Sequence, residues 1–141
     1  MISKTVLLVE DDELDVISVQ RTLKKFYTSY ELHIAHNGKE ALHMLTRSED
    51  PIKPDVVLLD LNMPRMNGIE FLKIVRDTPS LRDLQVFVMT TSSETSDRAI
   101  TEQLGVLGYI IKPLGATNTK KVDSMDAFVQ FHLRKILTAS T

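Results

Sequence analysis

Residues 55–60 read Asp55-Val56-Val57-Leu58-Leu59-Asp60, four apolar side chains in a row closed by an acid at each end. An unbroken apolar run of this length fits a strand covered on both faces, as in a parallel sheet, because a strand with one wet face alternates instead. The same grammar recurs on either side of it. Thr5 to Val9 is apolar, β-branched at Val6 and Val9, and stops on Glu10, Asp11 and Asp12. Val86 to Met89 runs into Thr90-Thr91-Ser92-Ser93, and Tyr109 to Ile111 runs into Lys112-Pro113. Tyr30 to Ala35 alternates more loosely and supplies a further strand.

Between these runs lie helical stripes. Val16, Val19, Leu23 and Phe26 recur at i, i+3, i+7 and i+10, one side of an amphipathic helix. Asn37-Gly38 is a turn signal, followed by a helix with Ala41, Leu42 and Leu45 inward and an end near Arg47. A Pro64 to Gly68 loop precedes a helix carrying Phe71, Leu72 and Val75, and the next helix uses Ala99, Ile100 and Leu104. Met125, Phe128, Val129, Leu133, Ile136 and Leu137 mark a last helix over about 124–138. Five strands alternating with five helices demand an α/β fold, a doubly wound parallel sheet with right-handed crossovers.

Composition bounds the rest. The chain has 141 residues, 43% hydrophobic and 26% charged, a length suited to one domain. With 17 basic against 19 acidic side chains and no dense basic run, it lacks the charge that a nucleic-acid partner would require. It has no Cys, which removes disulfides, thiolate metal sites and cysteine nucleophiles. No window approaches the roughly 20 apolar residues of a membrane helix, and the opening Met-Ile-Ser-Lys-Thr does not lead into a signal-peptide core. The expectation is a soluble, cytoplasmic protein of one domain spanning 1–141, with a core over 4–113. The 28 residues after Pro113 suffice for a loop over 114–123 and one helix, and are too few for an output domain.

Ligands of a doubly wound sheet bind at the carboxyl ends of its strands. There the four strongly apolar strands end in Glu10-Asp11-Asp12, Asp60, Thr90 and Lys112. Carboxylates gathered in one crevice repel unless a cation neutralises them, and Mg²⁺ suits them because it takes oxygen ligands and pairs carboxylates with phosphoryl groups. Asp60 then serves as nucleophile toward phosphorus, Asp11 and, through water, Glu10 hold the metal, and Thr90 and Lys112 bind phosphoryl oxygens. Asp12 suits a helix N-cap or a solvated position.

These residues resemble the receiver domain of two-component response regulators. The likeness rests on Val9-Glu10-Asp11-Asp12, Leu59-Asp60-Leu61-Asn62-Met63-Pro64 with Gly68, Met89-Thr90-Thr91, and Gly108-Tyr109-Ile110-Ile111-Lys112-Pro113. Asp60 follows Asp11 by 49 residues, Thr90 follows Asp60 by 30, and Lys112 follows Thr90 by 22, spacings that also suit the family. The resemblance is close over 4–113 and loose beyond. It implies a flavodoxin-like five-stranded sheet in the order 2-1-3-4-5. It further implies Asp60 as phosphoacceptor, Mg²⁺ held by Glu10, Asp11, Asp60 and the Asn62 carbonyl, and Thr90 with Tyr109 as the switch pair. The implied partners are a sensor histidine kinase or phosphotransfer protein and an unknown downstream protein, without nucleic acid or membrane. Thr91 is expected to gate solvent, Asn62 and Ser92 to tune dephosphorylation, and Pro113 to follow a cis peptide bond.

Plainer readings stand beside these. Tyr109 also fits a core ring with a wet hydroxyl. His33, His36, His43 and His132 lack the paired spacing of a zinc motif and read as surface or structural residues. Met63, Met66 and Met89 read as core and loop filling. Gly115 to Asp123 delays the last helix relative to the family pattern, and resembles stand-alone regulators paired with phytochrome-type kinases, which leaves a homodimer as an expectation. An aspartyl-nucleophile phosphatase is the rival enzyme class, but it wants a second Asp two places after the nucleophile, where this chain has Asn62. The intact acidic, hydroxyl and lysine positions argue against a non-phosphorylated pseudo-receiver.

Overall fold

A computed structural model describes residues 4–24, 30–61, 63, 66–90 and 95–111. Phe26, Asn62, Thr91, Ser92, Lys112, Pro113, the 114–123 loop, the helix expected over 124–138 and His132 lie outside the described residues. The elements run β1 (Lys4–Val9), α1 (Glu13–Leu23), β2 (Tyr30–Ala35), α2 (Gly38–Thr46), β3 (Val56–Asp60), α3 (Gly68–Asp77), β4 (Val86–Thr90), α4 (Thr95–Gln103) and β5 (Gly108–Ile111). All neighbouring strands pair in parallel, in the order β2-β1-β3-β4-β5. This is the expected doubly wound sheet, with four helices among the described residues.

Continuous apolar runs become two-sided burial because successive side chains leave a strand on opposite faces. Val6, Leu8, Val56, Leu58, Phe87 and Met89 form one core with Val19 and Leu23 of α1. Leu7, Val9, Val57, Leu59 and Val86 form the other with Ala41 and Leu45 of α2 and Phe71, Leu72 and Val75 of α3. Met63 and Met89 are buried and Met66 packs beside the second core, as filling residues should.

Two local readings change. Asn37 does not lead a β-turn; its side chain accepts the Glu40 N–H at 2.8 Å and so caps α2, with Gly38 as the first helical residue. The same short acceptor that makes Asn a turn former satisfies an orphan N–H at a helix start. Helix α4 is also rotated from its apolar stripe. Ala99 is exposed and Ile100 remains 37% exposed, whereas Thr101 is fully buried and Leu104 packs beside it against the second core. The Thr101 hydroxyl can enter because it is hydrogen-bonded to the Tyr109 hydroxyl of β5. Hydrophobicity favours Ile100, but that bond selects Thr101.

Candidate functional site

Strand register builds the site. Val9 of β1 lies across from Leu59 of β3, so the next residues, Glu10 and Asp60, leave the sheet side by side. Asp60 in turn lies across from Met89, and Thr90 across from Ile111, which carries the same edge on through β4 and β5. Glu10 is held in line by its own N–H, which donates to the Ala35 carbonyl of β2 at 2.9 Å. Glu10 and Asp60 are buried, and Asp11 is exposed at their rim. Each offers a carboxylate oxygen, and these oxygens all lie within 4.8 Å of one another.

The chain after Asp60 must fold back tightly to leave that crevice open. The Leu61 N–H donates to the Met89 carbonyl at 3.2 Å, and the Gly68 N–H donates to the Leu61 carbonyl at 3.1 Å. A Cβ on Gly68 would stand 2.6 Å from the Asp60 carbonyl oxygen and 2.7 Å from the Leu61 Cα, so only glycine permits this backbone approach. Asn67 then starts α3 with a capping box, its side chain accepting the Glu70 N–H while Glu70 reaches back to the Asn67 N–H.

An all-oxygen donor set with two buried carboxylates and one exposed suits a hard divalent cation, which needs both close oxygens and an open side for water or phosphate. Among the sequence-predicted residues, Glu10, Asp11 and Asp60 are brought together, while Asn62 and Lys112 lie outside the described residues. Thr90 ends β4 at the same edge, although its side chain lies outside the described part. Tyr109 sits half-buried on β5 with its hydroxyl bonded to Thr101, a partner that hydrophobic periodicity passes over. Asp12 takes the capping position expected of it, its Oδ1 accepting from Leu14 N–H at 2.8 Å.

Two cavities, of about 460 and 230 Å³, lie at the opposite end of the sheet around the 47–54 loop. Neither is lined by Glu10, Asp11 or Asp60. No helix among the described residues is long and apolar enough to cross a membrane.

With this geometry in place, residues 6–122 match the model of the response regulator receiver domain. The chain belongs to the response regulator receiver family. It is 33% identical over 129 residues to response regulator Rcp1 of Synechocystis sp., covering 89% of this chain and 88% of that one. The crystal structure of Mn²⁺-bound Rcp1 superposes with a TM-score of 0.81 at 32% identity, covering 98% of this chain and 97% of Rcp1. The phosphorylated cyanobacterial phytochrome response regulator RcpA superposes with a TM-score of 0.82 at 27% identity, covering 99% and 98%. As a receiver of two-component signalling, the chain carries its acidic pocket at Glu10, Asp11 and Asp60, where a metal ion can bind.

Proposed function

We propose that this receiver acts as a single-domain response regulator, a reading supported by its match along 88% of Rcp1. It accepts a phosphoryl group on Asp60 from a phosphohistidine of a sensor kinase or phosphotransfer protein. It then signals by binding a downstream protein in the cytoplasm. The observation that carries the reading is the carboxylate cluster: Asp60 ends a buried strand beside Glu10 and Asp11, with one open side. Likeness to RcpA, a phosphorylated cyanobacterial phytochrome response regulator, over nearly the whole chain supports a phytochrome-type kinase as the donor class.

Glu10, Asp11, Asp60 and the Asn62 carbonyl would hold Mg²⁺, which when bound would supply charge neutralisation where anionic donor and carboxylate meet. In the transfer, one Asp60 oxygen forms a bond to phosphorus as the N–P bond of the phosphohistidine breaks, and its electron pair returns to the imidazole nitrogen. The chain's own contribution is positioning: the β1 and β3 ends fix Asp60 in a partly dry crevice, and Lys112 and Thr90 bind the transferred oxygens. The new group carries roughly -1.5 to -2 charge, which draws the Thr90 hydroxyl and frees Tyr109 to change place. Apart from accepting the group and later losing it to water, the domain turns over no substrate.

Incubation with Mg²⁺ and acetyl phosphate, followed by intact mass, tests this. One base-labile phosphoryl group is expected in the wild type and none in Asp60→Asn or after chelation of the metal. Labelling that survives either change overturns the assignment, and steady phosphate release from varied organic phosphates favours a phosphatase.

A further inference from the structure

Four hydrogen bonds converge on Asp12, a residue outside the carboxylate cluster. Its Oδ1 accepts the Leu14 N–H at 2.8 Å and the Asp15 N–H at 3.3 Å, and its carbonyl accepts the Val16 N–H at 3.0 Å. These three bonds make it the N-cap of α1 and fix its backbone relative to the helix. The fourth runs the other way, from the Asp12 N–H to Glu10 Oε2 at 3.2 Å. Glu10 is buried and has three side-chain torsions to settle, so a fixed donor limits where its carboxylate points. The Asp12 carboxylate itself is exposed and occupied with the helix start.

We propose that Asp12 is a positioning residue for the cation site: by capping α1 it holds its own N–H on Glu10 and so aims the Glu10 carboxylate at Asp11 and Asp60. The proposal rests on the reading that this cluster holds a divalent cation. It makes α1 part of the metal site without contributing a ligand to it, since loss of an outer partner that orients a ligand typically weakens metal affinity about 10–100-fold.

The rival account is that Asp12 attracts the cation through its charge. Substitutions separate the two, because Asn and Ser cap a helix about as well as Asp but carry no charge, and Ala does neither. The test is calorimetric titration of the full chain with Mg²⁺, paired with hydrogen exchange at the residue 12 amide. Asp12→Ala is expected to weaken Mg²⁺ binding about 10-fold and to speed exchange at that amide. Asp12→Asn and Asp12→Ser are expected to stay within about twofold of wild type in both readouts. Wild-type binding in Asp12→Ala, or a loss in Asn and Ser variants equal to that in Ala, overturns the positioning role. If the Ala variant is too loose to titrate, the Asn and Ser variants decide alone, since an affinity loss in both favours charge. A wild-type chain that takes no Mg²⁺ overturns the cation reading itself and this role with it.

Discussion

Helix α3 turns Gly68, Phe71, Leu72 and Val75 into the core, whereas among the described side chains of α4 the buried one is Thr101. The two helices flank β4 in sequence, yet one is fastened by apolar burial and the other by polar ties. Those ties are few. Thr101 bonds Tyr109, and Arg76, on the last turn of α3, reaches across to the end of α4, with Nε donating to the Leu104 carbonyl at 2.6 Å and Nη2 to the Gly105 carbonyl at 3.2 Å. Its Nη1 donates to the Arg82 and Leu84 carbonyls at 2.8 Å each, ahead of β4. Burial lowers the Arg76 pKa from its ordinary value and the Asp83 charge opposes that fall. Gly105, at φ 73°, takes the left-handed turn that presents its carbonyl after the helix. Apolar burial is lost only with the core, while a hydrogen bond can be exchanged for another at small net cost, so the described ties of α4 are more readily exchanged than those of α3.

The comparison breaks most visibly at Phe71. Phe71→Ala removes a fully buried ring from α3 and is expected to cost about 3–5 kcal/mol by urea unfolding. A cost near that of a surface substitution would mean that α3 is not core-anchored. Next in size, Arg76→Ala withdraws a charged donor from four carbonyls and is expected to cost about 1.5–3 kcal/mol. Amide exchange should rise first in residues 101–107 and leave α3 protected; uniform loosening of both helices would erase the distinction drawn between them. The smallest effect belongs to the Thr101 and Tyr109 pair. Thr101→Val and Tyr109→Phe should each cost about 0.5–1.5 kcal/mol, and the double variant should cost less than their sum, because both remove one bond. Strict additivity would show that the two hydroxyls do not depend on each other.

The asymmetry also explains which parts of the molecule are legible from residues alone. β1, β3, β4 and β5 are found where apolar runs place them, because a strand buried on both faces must be apolar throughout and must turn polar where it leaves the core, while β2 at the sheet edge follows its looser alternation. Asp60 and Glu10 stand at such exits and are recognisable by position as much as by type. Helix α3 is legible for the same reason, since Phe71, Leu72 and Val75 bury what their spacing promises. The inner face of helix α4 is misread in part, because periodicity counts Ala99 and Ile100 as inward along with Leu104, whereas only Leu104 of the three packs on the core and Thr101 is buried instead. Asn37 is misread in a milder way, as one chemistry serves both a turn and a cap.

The sequence by itself determined the alternating α/β order, the apolar identity of each strand and the kinds of group that stand at the strand ends. Those are local properties, fixed by what can be buried and what must remain wet. Only the tertiary structure decided that Val9 faces Leu59, which sets Glu10 beside Asp60. It also decided that Gly68 lies against the Asp60 backbone, that Asp12 donates to Glu10, and that Tyr109 draws Thr101 inward. Each of these depends on register, a close backbone approach or a hydrogen bond that exists only once the chain has closed on itself, and no pattern along the sequence encodes such a distance.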